Sequence, residues 1–303
     1  MALLSLVVVI TIMTTGSNNE KLSSKPLVTT SNFAIYDVLK HIGGDKIELV
    51  NILPFGVDPH SFEPTPKGIA KLEKSKLFFY SGAILEPWTE NIKSEVKSVD
   101  VSQYVSLKEF DEEDEHQHEE HHEHDHHGAY DPHYWLDVDN MKQIAQAVTE
   151  KLSILNPKNK HLFEKNEKNY IASLEELDNL YKQKLLSCKL DTIVVTHNAF
   201  EYLAQRYGFQ VESLTGLSTE EQPSAQDVKR IFQEIQERNI QMVFFENFSS
   251  QKNIQTIADD LGIKVENLQP LGNITAEELD QNLTYVDIMK NNLEKIAKAM
   301  QCN

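Results

Sequence analysis

The chain has 303 residues, 40% of them hydrophobic and 25% charged, with a formal net charge of −18. That length supports two lobes with their own cores, and the composition is ordinary for a globular protein. The negative balance argues against nucleic acid or an anionic membrane surface as a partner, and suits attraction of cations.

An apolar run from Met1 to Met13 turns polar over Thr14 to Glu20. About a dozen apolar residues is short for a membrane span but fits the core of a secretory signal. Residues 1–20 are therefore expected to be an export segment, although no Lys or Arg precedes the run. No cysteine follows it, so a soluble periplasmic protein without a lipid anchor is expected.

Strands then alternate with helices. Pro26 to Ser31 reads as a strand, Asn32 to Ile42 as a helix stopped by Gly43-Gly44, and Ile47 to Leu53 as a strand. A loop from Pro54 to Pro66 follows, then a helix over Lys67 to Lys74 and a strand over Leu77 to Tyr80. Pro87 to Val96 is expected to be helical, Val99 to Val101 a strand, and Val138 to Leu155 a helix.

Between them lies a tract of almost pure imidazole and carboxylate. It holds seven of the twelve histidines: His116, His118, His121, His122, His124, His126 and His127. It also holds nine acidic residues, half of the chain's excess negative charge. Such a composition cannot bury a core, so residues 111–128 are expected to be a disordered loop. Either it gathers metal ions weakly, or it is a solvated acidic linker.

From Pro157 to about Leu186 there is no strand signal, no glycine and no internal proline. Leu162, Phe163, Tyr170, Leu174, Leu177, Leu180, Tyr181 and Leu185 recur at helical spacing. Thirty helical residues would span about 45 Å, so the stretch is either two helices with a break or one long helix crossing between lobes. The alternation then resumes. Strands are expected at Thr192 to Thr196, Gln210 to Leu214, Met242 to Phe245 and Lys264 to Leu268. Helices are expected at Phe200 to Tyr207, Ala225 to Glu237 behind a Ser224 cap, Gln251 to Leu261 and Leu283 to Met300.

Both halves thus read as α/β units with parallel sheets, whose ligands bind beyond the carboxyl ends of strands. The expected division is 26–155 for the first lobe, 156–188 for the connector and 189–303 for the second. Cys188 and Cys302 are too few and too far apart for a cysteine zinc motif; they could form one disulfide or remain two thiols.

Three histidines stand in turn-rich contexts at strand ends: His60 in Asp58-Pro59-His60, His133 in Asp131-Pro132-His133, and His197 in Thr196-His197-Asn198. Proline before the first two restricts the backbone that presents the ring. Together they could supply three nitrogens to a zinc ion.

The stretches Gly56-Val-Asp-Pro-His-Ser-Phe-Glu-Pro-Thr-Pro66, Asp131-Pro-His-Tyr-Trp-Leu-Asp137, Thr196-His-Asn-Ala-Phe200, Val243-Phe-Phe-Glu-Asn-Phe-Ser249 and Pro270-Leu-Gly272 carry a resemblance. In this order, with the acidic histidine tract before the second, they resemble the zinc-type solute-binding proteins of ABC metal importers. The resemblance implies two Rossmann-like lobes joined by one long rigid helix, with the metal in the cleft between them. It maps the metal histidines onto His60, His133 and His197. It further implies capture of Zn²⁺ in the periplasm by a monomer, delivery to an ABC permease of the inner membrane, and no catalysis.

Many relatives have an aspartate where this chain has Gln269, a poor zinc ligand. The fourth position then falls to water, to Glu246 or to a tract histidine, and Glu246 is either a ligand or the group that orients an imidazole. Three imidazoles suit zinc better than manganese. Two other functions fit three histidines: a zinc hydrolase with Glu246 as its base, and a zinc buffer or adhesin without a permease. No His-Glu-x-x-His helix supports the hydrolase.

Overall fold

A computed structural model of the protein describes residues 25–92, 96–110, 129–248 and 251–303. The expected export segment and the histidine tract, His116 to His127, lie outside them.

The first lobe is built on four parallel strands, β1 (Leu27–Thr30), β2 (Glu48–Asn51), β3 (Leu77–Tyr80) and β4 (Lys97–Asp100), in the order β2-β1-β3-β4. Helix α1 (Phe33–Gly43) starts where the Asn32 side chain accepts from the backbone N–H groups of Ala34 and Ile35, and stops at Gly44, whose φ of 51° suits a residue without Cβ. A short α2 (Pro66–Leu72) follows, and α3 (Val138–Leu155), capped by Asp137, closes the lobe.

The expected helix over Pro87 to Val96 is instead a five-residue 3₁₀ turn, Pro87–Asn91, among the described residues. Thr89 turns its hydroxyl back onto the Glu86 carbonyl at 2.7 Å, a local bond that competes with helix propagation. Trp88 leaves the main core for a small cluster with Phe62 and Phe78.

Two short strands had no sequence signal: β5 (Glu109–Phe110) and β6 (Ala129–Tyr130) pair antiparallel. They bring the two ends of the tract side by side.

The second lobe repeats the pattern. Strand β7 (Thr192–His197) pairs in parallel with β8 (Gln210–Thr215), β9 (Met242–Phe245) pairs with β10 (Lys264–Asn267), and β7 runs beside β9. Side by side the strands run β8-β7-β9-β10, the order of the first lobe, with hydrogen-bonded pairing within β8-β7 and within β9-β10. Helices α5 (Glu201–Tyr207), α6 (Ala225–Glu237), α7 (Gln251–Leu261), an unexpected α8 (Ala276–Asp280) and α9 (Tyr285–Ala299) complete it, with α4 described below. Ser224 and Asp227 form a reciprocal capping box at α6, as Thr284 and Asp287 do at α9.

The lobes are joined by one helix rather than two. Helix α4 (Lys160–Lys184) has 25 residues and follows a 3₁₀ turn over Pro157–Asn159. At 1.5 Å per residue it runs about 37 Å. Phe163, Tyr170, Leu174, Leu177 and Tyr181 are buried along it, whereas Leu180, expected in the same stripe, is 42% exposed. Its polar groups reach both lobes. Asn166 donates to the Ile42 carbonyl and Tyr170 to Asp37 on one side, and Tyr181 donates to the Met289 carbonyl on the other.

Arg206 on α5 adds a staple. Its guanidinium reaches Asp178 of α4 at 2.8 Å, and Asp137 and Asp139 at the start of α3 at 3.1 and 2.7 Å. One hydrophobic cluster runs through the first lobe, α4 and part of the second. Cys188, just after α4, is disulfide-bonded to Cys302. Among the described residues, no helix is long and apolar enough to cross a membrane.

Candidate metal centre

His60, His133 and His197 come together where the carboxyl ends of the two sheets face each other. Each offers a ring nitrogen, and these nitrogens all lie within 4.8 Å of one another. The ring centroids form a nearly equilateral triangle with edges of 5.3, 5.5 and 5.3 Å.

His60 lies in the loop after β2. His133 immediately precedes a 3₁₀ turn, Tyr134–Leu136. His197 is the last residue of β7 rather than the first beyond it, because its pairing with Thr215 extends the ladder by one step.

Asp-Pro-His occurs twice and folds the same way twice. The backbone N–H of His60 donates to Asp58 Oδ1 at 2.9 Å, and that of His133 to Asp131 Oδ1 at 2.9 Å. In each turn the aspartate satisfies a backbone donor two residues on and fixes the direction in which the imidazole leaves the chain.

His133 has a second contact with the same carboxylate. Its Nδ1 lies 2.8 Å from Asp131 Oδ1, both residues being about 1% exposed. A carboxylate accepts, so Nδ1 carries the proton and Nε2 presents its lone pair. His197 also has a carboxylate close to its Nδ1, though without the hydrogen bond that His133 makes. Glu246, just past β9, places Oε2 3.2 Å from His197 Nδ1 and also accepts from the Thr196 hydroxyl. Both ring nitrogens of His197 are buried without a hydrogen-bond partner among the described residues.

His60 is held differently. Burial, then the neighbouring His133 and His197, push its imidazole down to about 2, so it stays neutral. Its Nε2 lies 3.3 Å from His133 Nε2. Zinc–nitrogen bonds of about 2.0–2.1 Å at a tetrahedral angle place two ligand nitrogens roughly 3.3 Å apart. That pair therefore already has the spacing a bound zinc requires.

The first lobe's turns are gripped by the second lobe. Tyr202 of α5 donates to the Asp131 carbonyl at 3.0 Å, and Tyr285 of α9 to the Trp135 carbonyl at 2.7 Å. Trp135 donates its indole N–H to the Pro270 carbonyl at 2.7 Å. Thr219 donates its hydroxyl to Asp58 Oδ2 at 2.5 Å. Gly272 packs so tightly that a Cβ there would lie 3.1 Å from Pro59 and 3.3 Å from Trp135.

Gln269 is buried and its amide is taken up by partners other than the histidines. It donates to Glu278 at 3.0 and 3.2 Å and accepts from Leu271 N–H. Sequence reasoning did not single out Asp131 as the partner of a ring. Its place two residues before a histidine, across a proline, was the available signal.

The profile of the family described as zinc-uptake complex component A, periplasmic, matches residues 28–299. The high-affinity zinc uptake system protein ZnuA of Bacillus subtilis is 36% identical over 292 residues, covering 95% of this chain and 91% of that protein. The manganese ABC transporter substrate-binding lipoprotein PsaA of Streptococcus mitis is 29% identical, covering 97% and 95%. The crystal structure of the Zn(II)-bound ZnuA-like domain of Streptococcus pneumoniae AdcA superposes with a TM-score of 0.76 at 27% identity, covering 91% of this chain and 99% of that one.

Proposed function

The chain belongs to the family of periplasmic zinc-uptake component A proteins, and on that premise we propose that it captures Zn²⁺ outside the cytoplasm and delivers it to an ABC permease. It is a substrate-binding component and not an enzyme; zinc is its cargo. We assign His60, His133 and His197 as the three nitrogen ligands, and Glu246 as the group that orients His197. The observation that carries this reading is the triangle of imidazoles, two buried and beside carboxylates and one half-buried, with one nitrogen pair already at tetrahedral spacing. Three neutral nitrogens favour zinc over manganese, which prefers oxygen.

Residues 26–155 and 189–303 act as the two lobes that meet at the metal, with 156–188 as their connector. The protein acts as a monomer and binds no nucleic acid, in keeping with its charge of −18. The tract histidines, His116 to His127, gather further ions weakly. Its extracytoplasmic form is either free or, as in relatives such as PsaA that are named lipoproteins, tethered by a lipid. Mass spectrometry of the mature amino terminus distinguishes the two.

Calorimetry tests the central assignment. One tight zinc is expected in a variant lacking Asp111 to His127, and its loss is expected in His197→Ala. Unchanged affinity in His197→Ala removes that residue from the site.

A further inference from the structure

Asn273 closes the metal cavity from the second lobe, among the same residues as His60, His133 and His197. It is 1% exposed. Its Nδ2 donates twice to the loop that carries His60, to the Pro54 carbonyl at 2.8 Å and the Val57 carbonyl at 2.7 Å. Both partners are acceptors, so the atom facing them must be the amide nitrogen, which settles the orientation of the group. The other atom, Oδ1, is buried with no hydrogen-bond partner among the described residues. Leaving a carbonyl oxygen dry and unpaired is unfavourable, and such a group is retained where something else comes to it.

We propose that Asn273 Oδ1 is a positioning group for the cargo, accepting a hydrogen bond from the water that zinc carries in its fourth position. Three imidazoles leave one tetrahedral position of the ion open, and Gln269 is turned onto Glu278 and cannot fill it. A zinc-bound water is a strengthened donor with protons to place, and the cavity needs a fixed acceptor for one of them. Asn273 supplies it, and its two donations to the His60 loop hold that acceptor still. One side chain thus couples placement of the His60 loop to recognition of the hydrated ion. A carboxylate there would add charge and compete to bind the metal itself; a carboxamide holds the water and leaves the ion easier to release.

This inference rests on the zinc assignment above, and its test separates the two. The full chain is titrated with one equivalent of Zn²⁺ against a competing chelator, and with Co²⁺ as a visible probe of the coordination shell. Wild type, His133→Ala, Asn273→Ala and Asn273→Asp are compared. If wild type and His133→Ala bind alike, the zinc assignment fails. If it holds, Asn273→Ala should weaken zinc by about three- to tenfold and change the visible spectrum of the Co²⁺-saturated protein. Asn273→Asp loses both donations and sets a carboxylate against the Pro54 and Val57 carbonyls, so its affinity should fall at least as far, which measures the share of the loop. A purely structural clamp predicts an unaltered saturated Co²⁺ spectrum in Asn273→Ala, and that result overturns the proposal. Should Asn273→Ala unfold, Asn273→Leu, which fills a similar volume without the oxygen, replaces it with the same two outcomes.

Discussion

The two Asp-Pro-His turns share a tripeptide and a backbone geometry, yet they hold their histidines in different ways. In Asp131-Pro132-His133 one carboxylate oxygen binds both the backbone N–H and the ring Nδ1 of the histidine. In Asp58-Pro59-His60 one oxygen binds the backbone N–H, while the other reaches across the cleft to Thr219. His133 is fixed as a ligand in tautomer and direction before metal arrives. His60 is fixed as part of a loop, and that loop is tied to the opposite lobe through Thr219 and Asn273. The sequence of a turn sets where a ligand leaves the chain, and the partner of the remaining carboxylate oxygen sets whether the ring or the loop is rigid.

The contrast is broken most severely by removing a fixed nitrogen. His133→Ala or His197→Ala should weaken zinc more than the ten- to hundredfold usual for loss of a group that merely orients a ligand, so more than about a hundredfold. Competition against a chelator reads this directly. The two aspartates sharpen the contrast next. Asp131→Ala removes the acceptor that sets the His133 tautomer and should cost about ten- to hundredfold in affinity. Asp58→Ala loses a bond to the His60 backbone and one to Thr219 but none to the ring, and should cost no more than about tenfold. Equal losses in the two variants would erase the distinction between them.

A pH series sharpens it further. In the folded chain the His60 imidazole is pushed down to about 2, far below the ordinary histidine value of about 6.5. Below about pH 6.5 the unfolded chain therefore takes up a proton that the folded chain refuses, so metal-free stability falls with pH. Glu86, buried and raised to about 7, works in the opposite direction. The comparison must therefore be internal. Between pH 7.5 and 5, metal-free wild type should lose melting temperature relative to His60→Gln. A constant difference across that range would mean that His60 titrates as an exposed histidine.

The smallest effects are expected away from the turns. Deleting Asp111 to His127 should remove weak zinc sites but leave the tight one and the melting temperature nearly unchanged, because β5 and β6 already hold the ends together. Loss of the tight site on deletion would require a tract histidine in the primary shell. Zinc should also change the radius of gyration of that variant little, since α4 and Arg206 bind both lobes. A marked compaction would show that these staples yield.

Much of this arrangement was legible from residue order. Alternating strand and helix signals placed His60 and His197 at the same ends of two parallel sheets. The glycine-free stretch after Pro157 allowed a long helix, although periodicity could not choose between one helix and two. The remainder depended on distance in space. Nothing local shows that Asn273 clamps carbonyls 219 and 216 residues earlier in the chain, or that Thr219 meets Asp58. The helix expected over Pro87 to Val96 was lost to the short-range bond of Thr89 and the separate packing of Trp88. Local propensity carries neither effect.

X-ray absorption at the zinc edge tests the centre most directly, on the variant lacking Asp111 to His127 loaded with one equivalent of metal. The account predicts three imidazoles and one oxygen around the ion, with zinc–nitrogen distances of about 2.0–2.1 Å. His133→Ala should lose one imidazole from that shell. A spectrum with fewer than three imidazoles in the unsubstituted protein, or one that His133→Ala leaves unchanged, would contradict it.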